Sequence, residues 1–309
     1  MNLPDRESPG PIIVGVERSE RSRDALALAQ RLARAAHTRL ILVAVYDRDA
    51  PSATVEQGAH ASALAEEAES TLEWVARPLA GVRAELRALP YRSVSRGLQQ
   101  VAANEDALAI VVGPSHRGGV GQVVPGSVGA RLLHGAPCPV AVAPRGYWSD
   151  AFRPIQQIGV GYVASPEADE ALKAAVGLAA CAGAAIQVLG VIEPAATTAP
   201  LLLAPSYLER EERTRTQLLH DMHQAIDDAA PPMEISRHVV DGYADDELAR
   251  LSREVDLLVC GSRGHGPLSG VILGSVSSGV LRKSRCPVLV VPRGARNGFA
   301  ALEARKAVV

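Results

Sequence analysis

Aromatic side chains are scarce in this chain: two Trp, six Tyr and two Phe among 309 residues. Set beside frequent alanine, that scarcity suits small-residue packing of helices on a sheet better than an all-β sandwich. Cysteine is also sparse. Cys138, Cys181, Cys260 and Cys286 have neither the C-x-x-C spacing of a zinc or redox centre nor the density of a secreted scaffold, and read as reduced, mostly buried thiols. No apolar run approaches the roughly 18 residues of a membrane span, and residues 1–10 contain no apolar signal core, so the expectation is a cytoplasmic protein without a membrane partner. Neither charge sign dominates. The net charge is −2 with no basic stripe, which argues against a nucleic-acid partner.

Signatures of catalysis and metal binding are missing as well. There is no G-x-S-x-G elbow, no G-x-x-x-x-G-K-[ST] loop and no G-x-G-x-x-G after a first strand. His134, His220, His223, His238 and His265 are scattered, and His220 with His223 has no third ligand nearby in sequence, so no metal site is expected. Asp245-Asp246-Glu247 opens a helix after Gly242, where acidic residues complement the positive end of the helix dipole.

What the chain does contain is a segment that runs Gly261-Ser-Arg-Gly264, then nine residues, then Gly274-Ser275, directly after the apolar run Leu257–Cys260. A strand that ends in glycines and restarts as a helix at Gly-Ser offers backbone N–H groups to a phosphate. A worn copy, Gly113-Pro-Ser-His116, then nine residues, then Gly126-Ser127, lies 148 residues earlier. Cys138-Pro139-Val140 recurs as Cys286-Pro287-Val288 at that displacement, and Pro144-Arg145-Gly146 as Pro292-Arg293-Gly294; nearer the start of each half the displacement is 146, as for Gly15 and Gly161. A repeat of this length is a whole domain. The boundaries read as 1–146, a linker 147–154, 155–294 and a C-terminal tail 295–309, each half being large enough to bury a core.

Within each half, short apolar runs alternate with amphipathic stretches. In the first half Ile12–Val16, Arg39–Tyr46, Val82–Leu89, Leu108–Val112 and Val140–Ala143 read as strands, and about 19–33, 59–80, 91–104 and 127–134 as helices, with Ser19 a cap candidate. The second half repeats this order. Alternating β and α with near-continuous apolar strands predicts an α/β fold: two tandem doubly wound domains, each a five-stranded parallel sheet flanked by helices. Ligands then sit at the carboxyl ends of strands one and four of each half. The linker aromatics Trp148 and Phe152 read as packing residues. The segment Pro194–Pro205, with Leu201-Leu202-Leu203 among its prolines, reads either as a lid or subunit contact, or as a loop folded back on its own domain.

The G-x-x-G-x9-G-S segment, the Cys-Pro-Val strand after its helix and the helix opened by Ser165-Pro166-Glu167 together make both halves resemble the universal stress protein family in tandem form. The resemblance implies a sheet order of 3-2-1-4-5 and pairing of two domains through their last strands. Here that pairing becomes a pseudo-dimer within one chain, with further homodimerisation left open. In nucleotide-binding members the glycine segment holds the phosphates of ATP, with Mg as a companion, and an acidic residue ending the first strand contacts the nucleoside.

Carried over residue by residue, Gly261, Gly264, Gly274 and Ser275 match the phosphate motif, and Arg263 and Ser277 are close enough to assist by charge or hydroxyl. Val163 stands where the family has aspartate, so the nucleoside anchor is missing from the second half. A lost hydrogen bond from a ribose to a carboxylate costs about 1.5–3 kcal/mol, ten- to hundredfold in affinity. The first half keeps an acidic residue at Glu17, and Gly113, Gly126 and Ser127 remain. His116, however, replaces the second motif glycine and fills space through which backbone must approach a phosphate.

The implied function is that of a stress-response sensor or regulator whose second half binds an adenine nucleotide and thereby alters contacts to an unidentified protein partner. It is not expected to be an enzyme. The S-G-G-x-D-S loop of the related ATP pyrophosphatases is absent, no residue is assigned a catalytic role, and any ATP hydrolysis would be slow and incidental. The alternative is a nucleotide-free interaction protein of the same family, with vestigial crevices and its function on the Leu201–Leu203 loop and the dimer surfaces.

Overall fold

A computed structural model describes residues 9–47, 55–79, 81–117, 119–194, 205–262 and 273–302. The Leu201–Leu203 loop, Arg263 and Gly264 lie outside the described residues. The first half runs β1 (Ile12–Gly15), α1 (Glu20–Ala35), β2 (Leu40–Tyr46), α2 (Val55–Ala76), β3 (Ala84–Pro90), α3 (Val94–Asn104), β4 (Ala109–Val112), α4 (Ser127–Leu133) and β5 (Val140–Val142). After a 3-10 turn over Tyr147–Asp150, the second half runs β6 (Gln157–Tyr162), α5 (Pro166–Ala182), β7 (Ala185–Ile192), α6 (Pro205–Ala229), β8 (Ile235–Asp241), α7 (Ala244–Leu251), β9 (Leu257–Gly261), α8 (Ser275–Lys283) and β10 (Val288–Val291).

Each half has the order 3-2-1-4-5, and the two sheets are one: a ten-stranded sheet ordered β3-β2-β1-β4-β5-β10-β9-β6-β7-β8. Every pairing is parallel except the central one, where β10 meets β5 antiparallel with Leu289 opposite Ala141. The pairing of last strands expected from the resemblance is thus made within the chain. Because side chains alternate across a strand, Ile12 and Val14 face one core layer and Ile13 the other. Both layers continue across the β5–β10 seam, with Ala141 and Leu289 in the first and Val140 and Val290 in the second.

The alanines do what their size allows. Ala25 and Ala29 of α1 and Ala171 and Ala175 of α5 are fully buried at the helix–sheet contact, so these helices pack directly on the strands. Helix α3 starts three residues later than its sequence pattern predicts, because the Tyr91 N–H donates to the Tyr46 carbonyl (3.0 Å) and prolongs the β2–β3 ladder. Ser165 caps α5 by accepting from the Ala168 N–H (3.3 Å), whereas Ser19 makes no side-chain cap and its hydroxyl is turned to Glu17, to which it donates. Asp245 and Asp246 lie in the first turn of α7, as read, and also grip Lys283 of α8.

The linker differs from its reading. Tyr147 is its buried aromatic, while Trp148 and Phe152 are 59% and 70% exposed, Phe152 covering the Arg34 guanidinium at 5.0 Å. The segment read as a C-terminal tail is well packed over its described part, 295–302, where Phe299 is completely buried.

Candidate functional site

Strands β1 and β4 in the first half, and β6 and β9 in the second, lie side by side and end at the same edge of the sheet. The helices that follow β1 and β6 begin there, as do those that follow β4 and β9, which makes a crevice in each half.

The first motif glycine is explained by packing. A Cβ on Gly261 would sit 2.8 Å from the Glu167 carbonyl oxygen and 2.9 Å from the Glu167 Cβ, and one on Gly113 would overlap the Arg21 carbonyl, the matching position of the first half. In both halves this glycine lets the strand end touch the first turn of α5 or α1. Gly126 is different, because the nearest atom to its added Cβ is 4.0 Å away. Its missing side chain leaves open space before α4.

In the second half, the Gly274 N–H donates to the Ser262 carbonyl (2.8 Å), which pins the start of α8 to the end of β9. Gly274 is the N-cap of α8 and has no side chain to cap it, so among the described residues no N-cap side chain takes up the first-turn N–H groups, that of Ser275 included. Ser275 is exposed. Ser277 is buried, and its hydroxyl donates to the Gly261 carbonyl (2.9 Å), making it a clamp between strand and helix. Val163, in the place of the expected acid, packs against the core.

In the first half the acidic residue is engaged by its own neighbours. The Arg21 Nη2 lies 2.6 Å from a Glu17 oxygen, and Ser19 donates to the same oxygen at 2.9 Å. Partial burial raises the Glu17 pKa, but the hydrogen bonds from Arg21 and Ser19 and the nearby charges of Arg21 and His116 outweigh it and hold the carboxyl below its ordinary range. The glycine segment there closes on itself. Pro114 and Pro125 form an antiparallel bridge, the Ser115 N–H donates to Val124 O (2.5 Å), Gly121 N–H to Arg145 O (2.8 Å), and Val123 is fully buried.

Two charged residues at the second crevice were not singled out as site residues. Glu167, 8% exposed, ion-pairs with the Arg293 Nε at 3.1 Å, and the Arg293 N–H donates to Ser262 Oγ (3.2 Å). The pair therefore spans the end of β9. Arg293 was visible in sequence only as part of the recurring Pro-Arg-Gly, and the repeat aligns Glu167 with Arg21, a reversal of charge between the halves. Cys260 and Cys286 are buried thiols pushed up to about 12 by desolvation, so they bring no nucleophile to this edge.

Two stretches of the chain, residues 10–144 and 154–292, match the family described as Universal stress protein family. A universal stress protein of Mycobacterium tuberculosis is 29% identical over 91% of this chain and 99% of its own length. Among solved structures, a universal stress protein from Archaeoglobus fulgidus superposes with a TM-score of 0.59 at 21% identity, covering 92% of this chain and 98% of that one. A universal stress protein solved in complex with cAMP is 27% identical, with a TM-score of 0.33, over 44% of this chain and 96% of that one.

Proposed function

The chain belongs to the universal stress protein family in tandem form, and from that premise we propose that it is a stress-response sensor or regulator that binds ATP or a related adenine nucleotide in its second half. The residues proposed to hold the phosphates are Gly261, Arg263, Gly264, Gly274 and Ser275. Ser277 holds the strand end in place for them, and Mg accompanies the phosphates. Glu17, Gly113, Gly126 and Ser127 belong to a first-half crevice that binds weakly or not at all.

One observation carries the reading: the α8 N-terminus is tied to the end of β9 by the Gly274–Ser262 hydrogen bond yet lacks a side-chain cap. The N–H groups of Ser275, Val276 and Ser277 that precede the first intrahelical bond of α8, with the positive dipole end behind them, attract a phosphate. The first half has the same uncapped helix start, at Gly126 before α4, but its acidic residue and glycine segment are already engaged. Glu17 is spoken for by Arg21 and Ser19, and its glycine segment is bridged shut. The bound nucleotide acts as a signal to a protein partner, and the chain is not an enzyme.

A nucleotide-free interaction role is favoured by one specific feature, the Val163 that replaces the acidic anchor. Thermal unfolding with ATP, ADP, AMP and cAMP separates the two. Binding at a hundredfold or greater excess over Kd raises stability by about 3–4 kcal/mol, and a folded protein that no adenine nucleotide stabilises overturns the sensor reading.

A further inference from the structure

After the last strand of each half the chain makes the same turn. Gly146 and Gly294, a repeat apart, both adopt left-handed backbone, with φ of +84° and +69°. Beyond Gly146 the chain crosses to the base of the second half and enters β6. Beyond Gly294 it follows the corresponding path toward the base of the first half, where β1 already begins.

The contacts along the two paths correspond. In the linker, Asp24 of α1 accepts from the Gly146 and Trp148 N–H groups (both 3.0 Å). The repeat pairs Asp24 with Glu170 of α5, which receives the Asn297 Nδ2 on its carbonyl (2.7 Å) and its carboxylate (3.1 Å). Farther on, Arg31 of α1 donates to the Pro154 carbonyl (2.7 Å). Its counterpart in α5 is Gly177, and the Phe299 carbonyl stands where a Gly177 Cβ would be, with the Ala300 Cα 3.5 Å from that position.

Residues 295–302 touch both halves. Arg296 pairs with Asp106, its N–H donates to the Pro137 carbonyl (2.8 Å), and Gly298 packs against Leu108, all in the first half. Phe299 and Leu302, 0% and 4% exposed, lie in the core layer shared by both halves. Leu302 borders the groove that Pro9, Gly10 and Pro11 also line, at the entry to β1.

We infer that residues 295–302 are an intramolecular clasp, laid along the path that the 147–154 linker takes after the first half, which holds the halves together independently of that linker. The clasp makes the assembly survive the loss of covalent continuity between its halves.

A protease site placed between the exposed Phe152 and Arg153 tests this in the full chain. After cleavage the two fragments remain one particle in analytical ultracentrifugation at micromolar concentration. Phe299→Ala weakens their association at least roughly a hundredfold, the loss expected on emptying a fully buried Phe site, and truncation after Gly294 weakens it further, while truncation after Leu302 does not. Separation of the cleaved wild-type fragments overturns the inference, as does a change below about threefold for Phe299→Ala. Gly177→Ala in the uncut protein serves if those variants do not fold. Alanine ordinarily strengthens a helix interior. Here it should lower the melting temperature by about 5 °C in the full chain, and raise it or leave it unchanged once the clasp is removed; a rise in the full chain overturns the inference.

Discussion

Arg31, in the first half, and Asp256, in the second, form an ion pair of 3.1 Å in which the arginine side chain is only 3% exposed. The same guanidinium donates to the Tyr147 hydroxyl and the Pro154 carbonyl, while Asp256 accepts from the Gln156 and Gln157 N–H groups at 2.9 and 3.0 Å. One side chain thereby joins a helix of the first half, the linker and the strand entry of the second.

Asp256→Ala should therefore cost about 3 kcal/mol in chemical denaturation, because it leaves a buried guanidinium without its counter-charge. Burial raises the Asp256 pKa, but the two backbone N–H groups and Arg31 more than offset it, so its folded pKa lies below its ordinary value. A depressed folded pKa means that the contribution is complete above the unfolded value near 4 and fades as pH falls through the folded one. Wild type should lose this component of stability below about pH 4 and Asp256→Asn should not; equal acid sensitivity in the two proteins would contradict the assignment.

Gly274→Glu should abolish nucleotide-dependent stabilisation, since it sets a carboxylate before the uncapped α8 N-terminus. Gly126→Glu should keep most of it and remain folded, because the added side chain enters open space. The reverse pattern in thermal shift would place the ligand in the first half.

Glu167→Gln should tighten binding of ATP by about three- to tenfold at low salt and of adenosine not at all, because it removes a negative charge beside the glycine segment and frees Arg293. Isothermal titration across adenosine, AMP, ADP and ATP measures this directly. An equal effect on adenosine would show that the pair does not act on the phosphates.

Gly113→Ala and Gly261→Ala should each destabilise the protein by about 1–3 kcal/mol without any ligand, since the new methyl meets backbone of α1 or α5. Gly126→Ala should change stability by less than about 1 kcal/mol. Urea melts of the three variants distinguish a steric glycine from one that leaves room.

Cys181 should be the first thiol to react with a disulfide reagent in the native state. It is partly exposed, whereas Cys138, Cys260 and Cys286 are buried and pushed up to about 12. Rapid native-state labelling at Cys260 or Cys286 would mean that the β9–β10 layer opens far more readily than its burial implies.

Much of this molecule could be read along the chain. The strands from Ile12 to Val14 and from Leu257 to Cys260 declare themselves as unbroken apolar runs, and the displacement of 148 between Cys138 and Cys286 exposes the duplication. The spacing from Gly261 to Ser275 marks a strand-to-helix turn without any knowledge of its surroundings. The residues at the turn were harder to interpret. Gly113 and Gly126 look alike in sequence, yet one is pressed against Arg21 and the other faces open space. Ser277, read as a helper for a phosphate, faces inward to Gly261.

Periodicity and spacing are properties of neighbours along the chain, so the elements, their alternation and the doubled domain follow from the order of residues alone. The antiparallel register of β10 on β5, the Arg31–Asp256 bridge and the seat of Phe299 join residues far apart in the chain. Nothing periodic marks such contacts. They arise from shape and charge complementarity between surfaces that exist only after each half has folded, and tertiary structure alone decides them.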